Sequence, residues 1–170
     1  KKHIKYFFKG RPMSQAPMNP VPMPEHRAAA TARIAAATGI DEAMIEALVA
    51  RFYAKVRGDA VLGPVFAAKI TDWGPHLKRM CEFWSSVALL TGRYHGQPMP
   101  KHLSLPIDEA HFARWLGLFQ ETLDETCPPA ARVHFMDRAR RIAESFRLGI
   151  AMQRGTLIAE LDAKGSMQKE

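Results

Sequence analysis

Apolar side chains return every three or four residues along most of this chain, and nowhere do they alternate with period two over the length of a strand. The sharpest stretch begins at Asp41: Met44, Ile45, Leu48, Val49, Phe52, Tyr53 and Val56 share one face, with Asp41 and Glu42 in the first turn, where the helix dipole favours acids. That helix ends near Gly58. Leu62-Gly63-Pro64-Val65-Phe66 reads as a short apolar corner rather than a strand, because Gly and Pro interrupt it. Pro75 suits the first turn of a helix over residues 73–91, on which His76, Met80, Phe83 and Val87 lie in line. Residues 92–106 hold two glycines and three prolines, which predicts a loop with at most a turn of helix at residues 100–104. Asp108 is a good N-cap, with Ile107 and Phe112 placed to form a hydrophobic staple. Phe112, Trp115, Phe119 and Leu123 then share a face until Cys127-Pro128-Pro129 stops the helix. A last helix over residues 130–153 repeats Phe135, Ala139, Ile142, Phe146 and Ile150. The pattern predicts an all-α fold without internal repeats or a sustained heptad.

The ends differ from this middle. Residues 10–24 hold Gly10, Pro12, Pro17, Pro20, Pro22 and Pro24, a composition that sustains neither helix nor sheet, and residues 25–37 are alanine-rich, helical by propensity but poor in anchoring surface. The expected organisation is a flexible basic leader over residues 1–37, one domain over 38–154 and a frayed polar tail over 155–170. A length of 170 residues suits a single core. The formal net charge of +7 loses its meaning once located, since Lys1, Lys2, Lys5, Lys9 and Arg11 stand in an acid-free leader and leave +2 for the rest. The domain therefore offers no compositional case for nucleic-acid binding. No apolar run reaches membrane-spanning length. Cys81 and Cys127 fall in different elements and outside any Cys-x-x-Cys pattern, which argues against a disulfide, a zinc knuckle or a covalently attached c-type haem. A reducing compartment, the cytoplasm, is the expected location.

Four residues place polar atoms in apolar surroundings. Tyr53, His76 and Trp115 sit on the apolar faces of three different helices, and His102 lies beside Leu103 and Leu105 on a segment bounded by prolines. Each has a plain explanation as a core side chain with a hydrogen-bond partner. Together they outline a pocket with donors converging on one point, and His102 is then a candidate axial ligand for a haem iron. Two other readings compete: His95, His102 and His111 as zinc ligands, for which spacing and motif are lacking, and a haem-free helical interaction module with the aromatic faces as ordinary core.

The order Phe52-Tyr53-Ala54-Lys55-Val56-Arg57, Leu62-Gly63-Pro64-Val65-Phe66, His76, Phe83-Trp84, Tyr94-His95-Gly96-Gln97-Pro98, Lys101-His102-Leu103, Leu105-Pro106, Phe112-Ala113-Arg114-Trp115-Leu116 and Leu118-Phe119 resembles the group III truncated haemoglobins over about residues 38–154. The resemblance implies a shortened, two-over-two globin binding haem b without covalent attachment. His102 matches the proximal iron ligand. Tyr53, His76 and Trp115 match the distal residues, Phe66 and Phe83 match aromatic positions that hold the macrocycle, Met80 occupies an apolar distal site on the face of His76, and Phe112 is a further candidate for binding the cofactor. It further implies O₂, CO, NO or peroxide as small ligands, and donors that slow O₂ loss, which suits storage, sensing or redox turnover with a reductase better than transport. Arg79, Arg93 and Lys101 are candidate partners for the haem propionates.

Overall fold

The computed structural model describes residues 24–155. Among these, seven helices follow one another: α1 (Pro24–Thr38), α2 (Glu42–Gly58), α3 (Leu62–Ala67), α4 (Trp73–Leu89), α5 (Pro98–Leu103), α6 (Glu109–Thr126) and α7 (Pro129–Gln153). The described residues contain no strand. Residues 1–23 of the leader expected over 1–37, and residues 156–170 of the tail expected over 155–170, lie outside the described residues.

Helix ends fall where the local chemistry puts them. The Asp41 side chain accepts from the Met44 amide at 2.8 Å, and Asp108 caps α6 by accepting from His111 N at 3.2 Å. Two elements are more helical than the sequence pattern predicts. The corner at residues 62–66 closes into the turn of α3, started by the Asp59 carboxylate accepting from the amides of Val61 and Leu62. The turn expected at residues 100–104 begins two residues earlier, because Pro98 and Pro100 fall in the first turn of α5, where a missing N–H costs nothing. Helix α1 occupies most of the alanine-rich stretch assigned to the leader. It is held by Ile34 and Ala35 against the core and by the Thr31 hydroxyl, which donates to the Leu89 carbonyl at 2.7 Å. That bond, and one from His134 Nε2 to the Ala88 carbonyl at 2.8 Å, satisfies acceptors left over where α4 stops at the left-handed Leu90.

Helices α2 and α4 form one pair and α6 and α7 another, with α2 laid against α6 and α4 against α7. Between the pairs lies a core of stacked rings. Trp84 stacks on Phe119 at 4.8 Å, Phe135 meets Trp84 edge-on at 5.9 Å, and Phe52 meets Phe119 edge-on at 5.1 Å. All four are at most 1% exposed, and each such burial contributes about 1.5–3 kcal/mol. The short helices α3 and α5 take no part in this sandwich. Helix α3 lies against α2 and α6, helix α5 against α7, and each borders the same cavity.

Candidate functional site

A cavity of about 510 Å³ lies between the two short helices and the main pairs. All eight residues singled out from the sequence, Tyr53, Phe66, His76, Met80, Phe83, His102, Phe112 and Trp115, line it. They arrive from five helices, so only the fold brings them together. Arg79 and Lys101 also line the cavity, whereas Arg93 is turned to Glu42 at 3.3 Å. His95 is exposed and absent from the lining, and no three His, Cys, Asp or Glu side chains gather into a metal site among the described residues.

One wall carries Tyr53, His76 and Trp115. Tyr53 is 5% exposed. Burial, with the neighbouring Cys81 thiol adding to it, pushes its phenol far above the usual range, so the hydroxyl stays protonated and able to donate. Its ring meets Phe66 at 5.9 Å and His76 at 5.2 Å, both edge-on. His76 Nε2 is buried without a hydrogen-bond partner among the described residues. Burial, and then the charge of Arg79, lowers the pKa of His76 and keeps the ring neutral. Trp115 belongs to the core stack, parallel to Phe119 at 5.4 Å and edge-on to Phe52 at 5.6 Å. Arg114 beside it donates to Asp59 at 2.7 Å, which ties the α2–α3 corner to α6.

Another part of the same lining carries His102. Its Nδ1 lies 2.7 Å from the Pro98 carbonyl. A carbonyl only accepts, so Nδ1 bears the proton and Nε2 keeps the lone pair of the neutral ring. Burial foremost lowers the His102 pKa, Lys101 adding to that and the Pro98 bond opposing it. The imidazole lies nearly parallel to Phe146, 19° between planes and 4.2 Å between centroids. The Arg154 guanidinium donates to the carbonyls of Leu105 and Ile107 just beyond.

Two residues escaped the sequence reading. Trp73 stacks on Phe66 and meets His76 edge-on at 5.6 Å without lining the cavity. Its only sequence signal is its place three residues before His76 on the same helix. Phe146 counted as one more member of the α7 apolar stripe, and nothing in the periodicity distinguishes the part of that stripe facing the core from the part facing the cavity.

The donor set fits a haem. An imidazole with a fixed tautomer and a free nitrogen stands on one side of a largely apolar cavity. The other side offers neutral donors and an orphaned polar atom, with cationic side chains at the margin.

The bacterial-like globin family profile matches residues 35–147. The chain is 36% identical over 113 residues to the group 3 truncated hemoglobin ctb of Campylobacter jejuni, covering 64% of this chain and 89% of that protein. It is 28% identical over 87 residues to the group 2 truncated hemoglobin YjbI of Bacillus subtilis, covering 50% of this chain and 66% of the other. The crystal structure of the Campylobacter jejuni group III protein superposes with a TM-score of 0.62 over 65% of this chain and 91% of that one. Family profile, relatives and fold agree, and the chain belongs to the bacterial-like globins, as a haem-binding truncated haemoglobin of group III.

Proposed function

We propose that His102 holds haem b non-covalently through Nε2 and that Tyr53, His76 and Trp115 receive a diatomic ligand on the opposite side, with O₂, CO and NO as the ligands. The single observation that carries this is the His102 hydrogen bond to Pro98, which leaves Nε2 as the remaining lone pair on a residue that lines the same cavity as those three. When bound, haem would supply an iron that can take such a ligand and change oxidation state.

The protein's own groups do the rest. The Tyr53 hydroxyl and the Trp115 indole N–H donate toward developing negative charge on the ligand in a site of low polarity. Neutral His76 holds an uncommitted Nε2 against the same space. Phe66, Met80, Phe83 and Phe112 exclude water and pack against the macrocycle, and Arg79 and Lys101 pair with its carboxylates. Each donor contributes on the order of 1 kcal/mol, which slows O₂ release. Slow release suits O₂ storage, oxidation of NO by O₂ or reduction of peroxide, with a reductase as electron source, better than transport.

The test is a titration with haemin followed by absorption spectra of the reduced protein with and without CO, beside His102→Gly. Stoichiometric uptake and a sharp CO-induced Soret shift are expected in the wild type, with the shift collapsing in the variant and recovering on addition of imidazole. No uptake by the wild type would leave the cavity as the core of a haem-free interaction module.

A further inference from the structure

We propose that Phe146 is the positioning residue that fixes the plane of the His102 imidazole, so that α7 rather than α5 sets the orientation in which His102 meets the haem. This rests on the reading of His102 as the ligand.

Helix α5 has six residues and no side-chain hydrogen bond at its N-cap, too short a helix to hold its own shape. The bond from His102 to Pro98 spans four residues within that same helix. It therefore moves with α5 and cannot reference the ring to the rest of the fold. It also leaves the ring angular slack, because a hydrogen bond tolerates a range of donor angles about the Cβ–Cγ bond. A flat surface parallel to the imidazole takes up that slack. Phe146 provides one, at 4.2 Å and 19°, the shortest centroid separation among the ring pairs of the described residues. Phe146 is well placed to act as a reference because α7 has 25 residues and is seated in the core through Phe135, Ala139 and Ala143.

The neighbouring positions on α7 explain how α5 comes close enough. Gly149 lies three residues on from Phe146, and a Cβ there would fall 2.7 Å from Met99 Sδ, 3.2 Å from its Cε and 3.5 Å from Leu103 Cδ2. The missing side chain is the space into which α5 settles. Arg154 then grips the carbonyls of Leu105 and Ile107, the chain that leaves α5. Phe146, Gly149 and Arg154 make one seat, and in it Phe146 is the ring stacked on the imidazole.

An apolar filler would serve packing equally well, so the decisive variant is Phe146→Leu beside Phe146→Tyr, which keeps the ring face. In the haem-free full chain, NMR should find the His102 ring protons, assigned by their loss in His102→Gln, shifted upfield by the adjacent aromatic face. Phe146→Leu should return them and Phe146→Tyr should not. After reconstitution with haem, the ferrous iron–imidazole stretching band in the Raman spectrum should be single and narrow in the wild type and in Phe146→Tyr. It should broaden or split in Phe146→Leu, with haem loss about two- to tenfold faster. Unshifted ring protons in the wild type, or a band and loss rate unchanged in Phe146→Leu, would overturn the proposal while leaving His102 as ligand. Failure of the wild type to take up haem would overturn both. Should Phe146→Leu not fold, the wild-type and Phe146→Tyr proton shifts still decide.

Discussion

The two walls of the cavity are built by different means. On the His102 side, polar atoms are committed: the imidazole to Pro98, the Leu105 and Ile107 carbonyls to Arg154, the ring face to Phe146. On the Tyr53 side, rings pack edge to face and His76 Nε2 is left without a partner. The polar bonds there stand back from the cavity, in the Asp59–Arg114 pair. A side chain that must hold one partner in one geometry gains from having its remaining groups bonded. One that must receive a ligand gains from an unpaired hydrogen-bonding atom, whose cost of roughly 1–3 kcal/mol the surrounding fold carries.

The largest expected effect comes from removing the frame behind the Tyr53 wall. The Asp59 side chain, 5% exposed, accepts from Val61 N, Leu62 N and Arg114 Nε. Asp59→Ala should lower the free energy of unfolding by about 2 kcal/mol at neutral pH, read by urea titration. The sign of the pH dependence follows from the carboxyl. The Leu62 amide foremost, then Arg114 and Val61, hold it below its ordinary 3.8 against the opposing effect of burial. Its contribution is complete above 3.8 and is lost as pH falls through the lower folded value. Between those two values acid destabilisation should therefore be shallower in the variant. Equal stability of the two proteins would mean that ring packing alone shapes this wall.

Next in size are the donors themselves. Tyr53→Phe and Trp115→Phe should each speed O₂ dissociation by about two- to tenfold in stopped-flow experiments, with CO association changed less, because CO draws little on a donor. Unchanged O₂ rates in both variants would remove these groups from the ligand. His76 adds a pH signature. Its folded pKa lies below the ordinary 6.5, so the neutral, ring-packed form is fully present above 6.5 and gives way as pH falls through the lower folded value. CO association should rise over that acidic range as the protonated ring leaves its apolar contacts for water, and His76→Leu should flatten the profile.

Much of this was legible in the sequence, for identifiable reasons. The long helices announce themselves by apolar spacing and by caps such as Asp41 and Asp108, and the eight candidate residues carry family-like neighbours in family-like order. The boundaries of α5 were less legible because Pro98 and Pro100 break a helix in its middle and start one at its front, and composition alone does not say which. The helical propensity of α1 was legible but its anchorage was not, because alanines bury little and the anchor is a hydroxyl reaching a carbonyl 58 residues away. Phe146 and Trp73 were invisible as site residues because their roles depend on which ring they face.

Trp73 carries the smallest expected effect and the finest distinction between the walls. The Arg57 guanidinium lies over its ring at 5.0 Å, and Trp73 in turn stacks on Phe66, leans on Tyr53 at 6.1 Å and meets His76 edge-on at 5.6 Å. A surface charge thus presses on the ring that backs three residues of the ligand-receiving wall. An exposed cation–π contact is worth about 0.5–1 kcal/mol, which sets a ceiling of about two- to fivefold on what its loss can do to a rate. Arg57→Gln should raise CO association within that ceiling by loosening His76, and Arg57→Lys should restore most of the wild-type rate. Trp73→Leu should exceed Arg57→Gln, since it removes the edge contact itself. None of these changes should move the iron–imidazole band, which answers to Phe146 on the other wall. A shift in that band would show the two walls to be mechanically one. Separate responses would mean that the chain tunes ligand access and ligand anchoring through different residues.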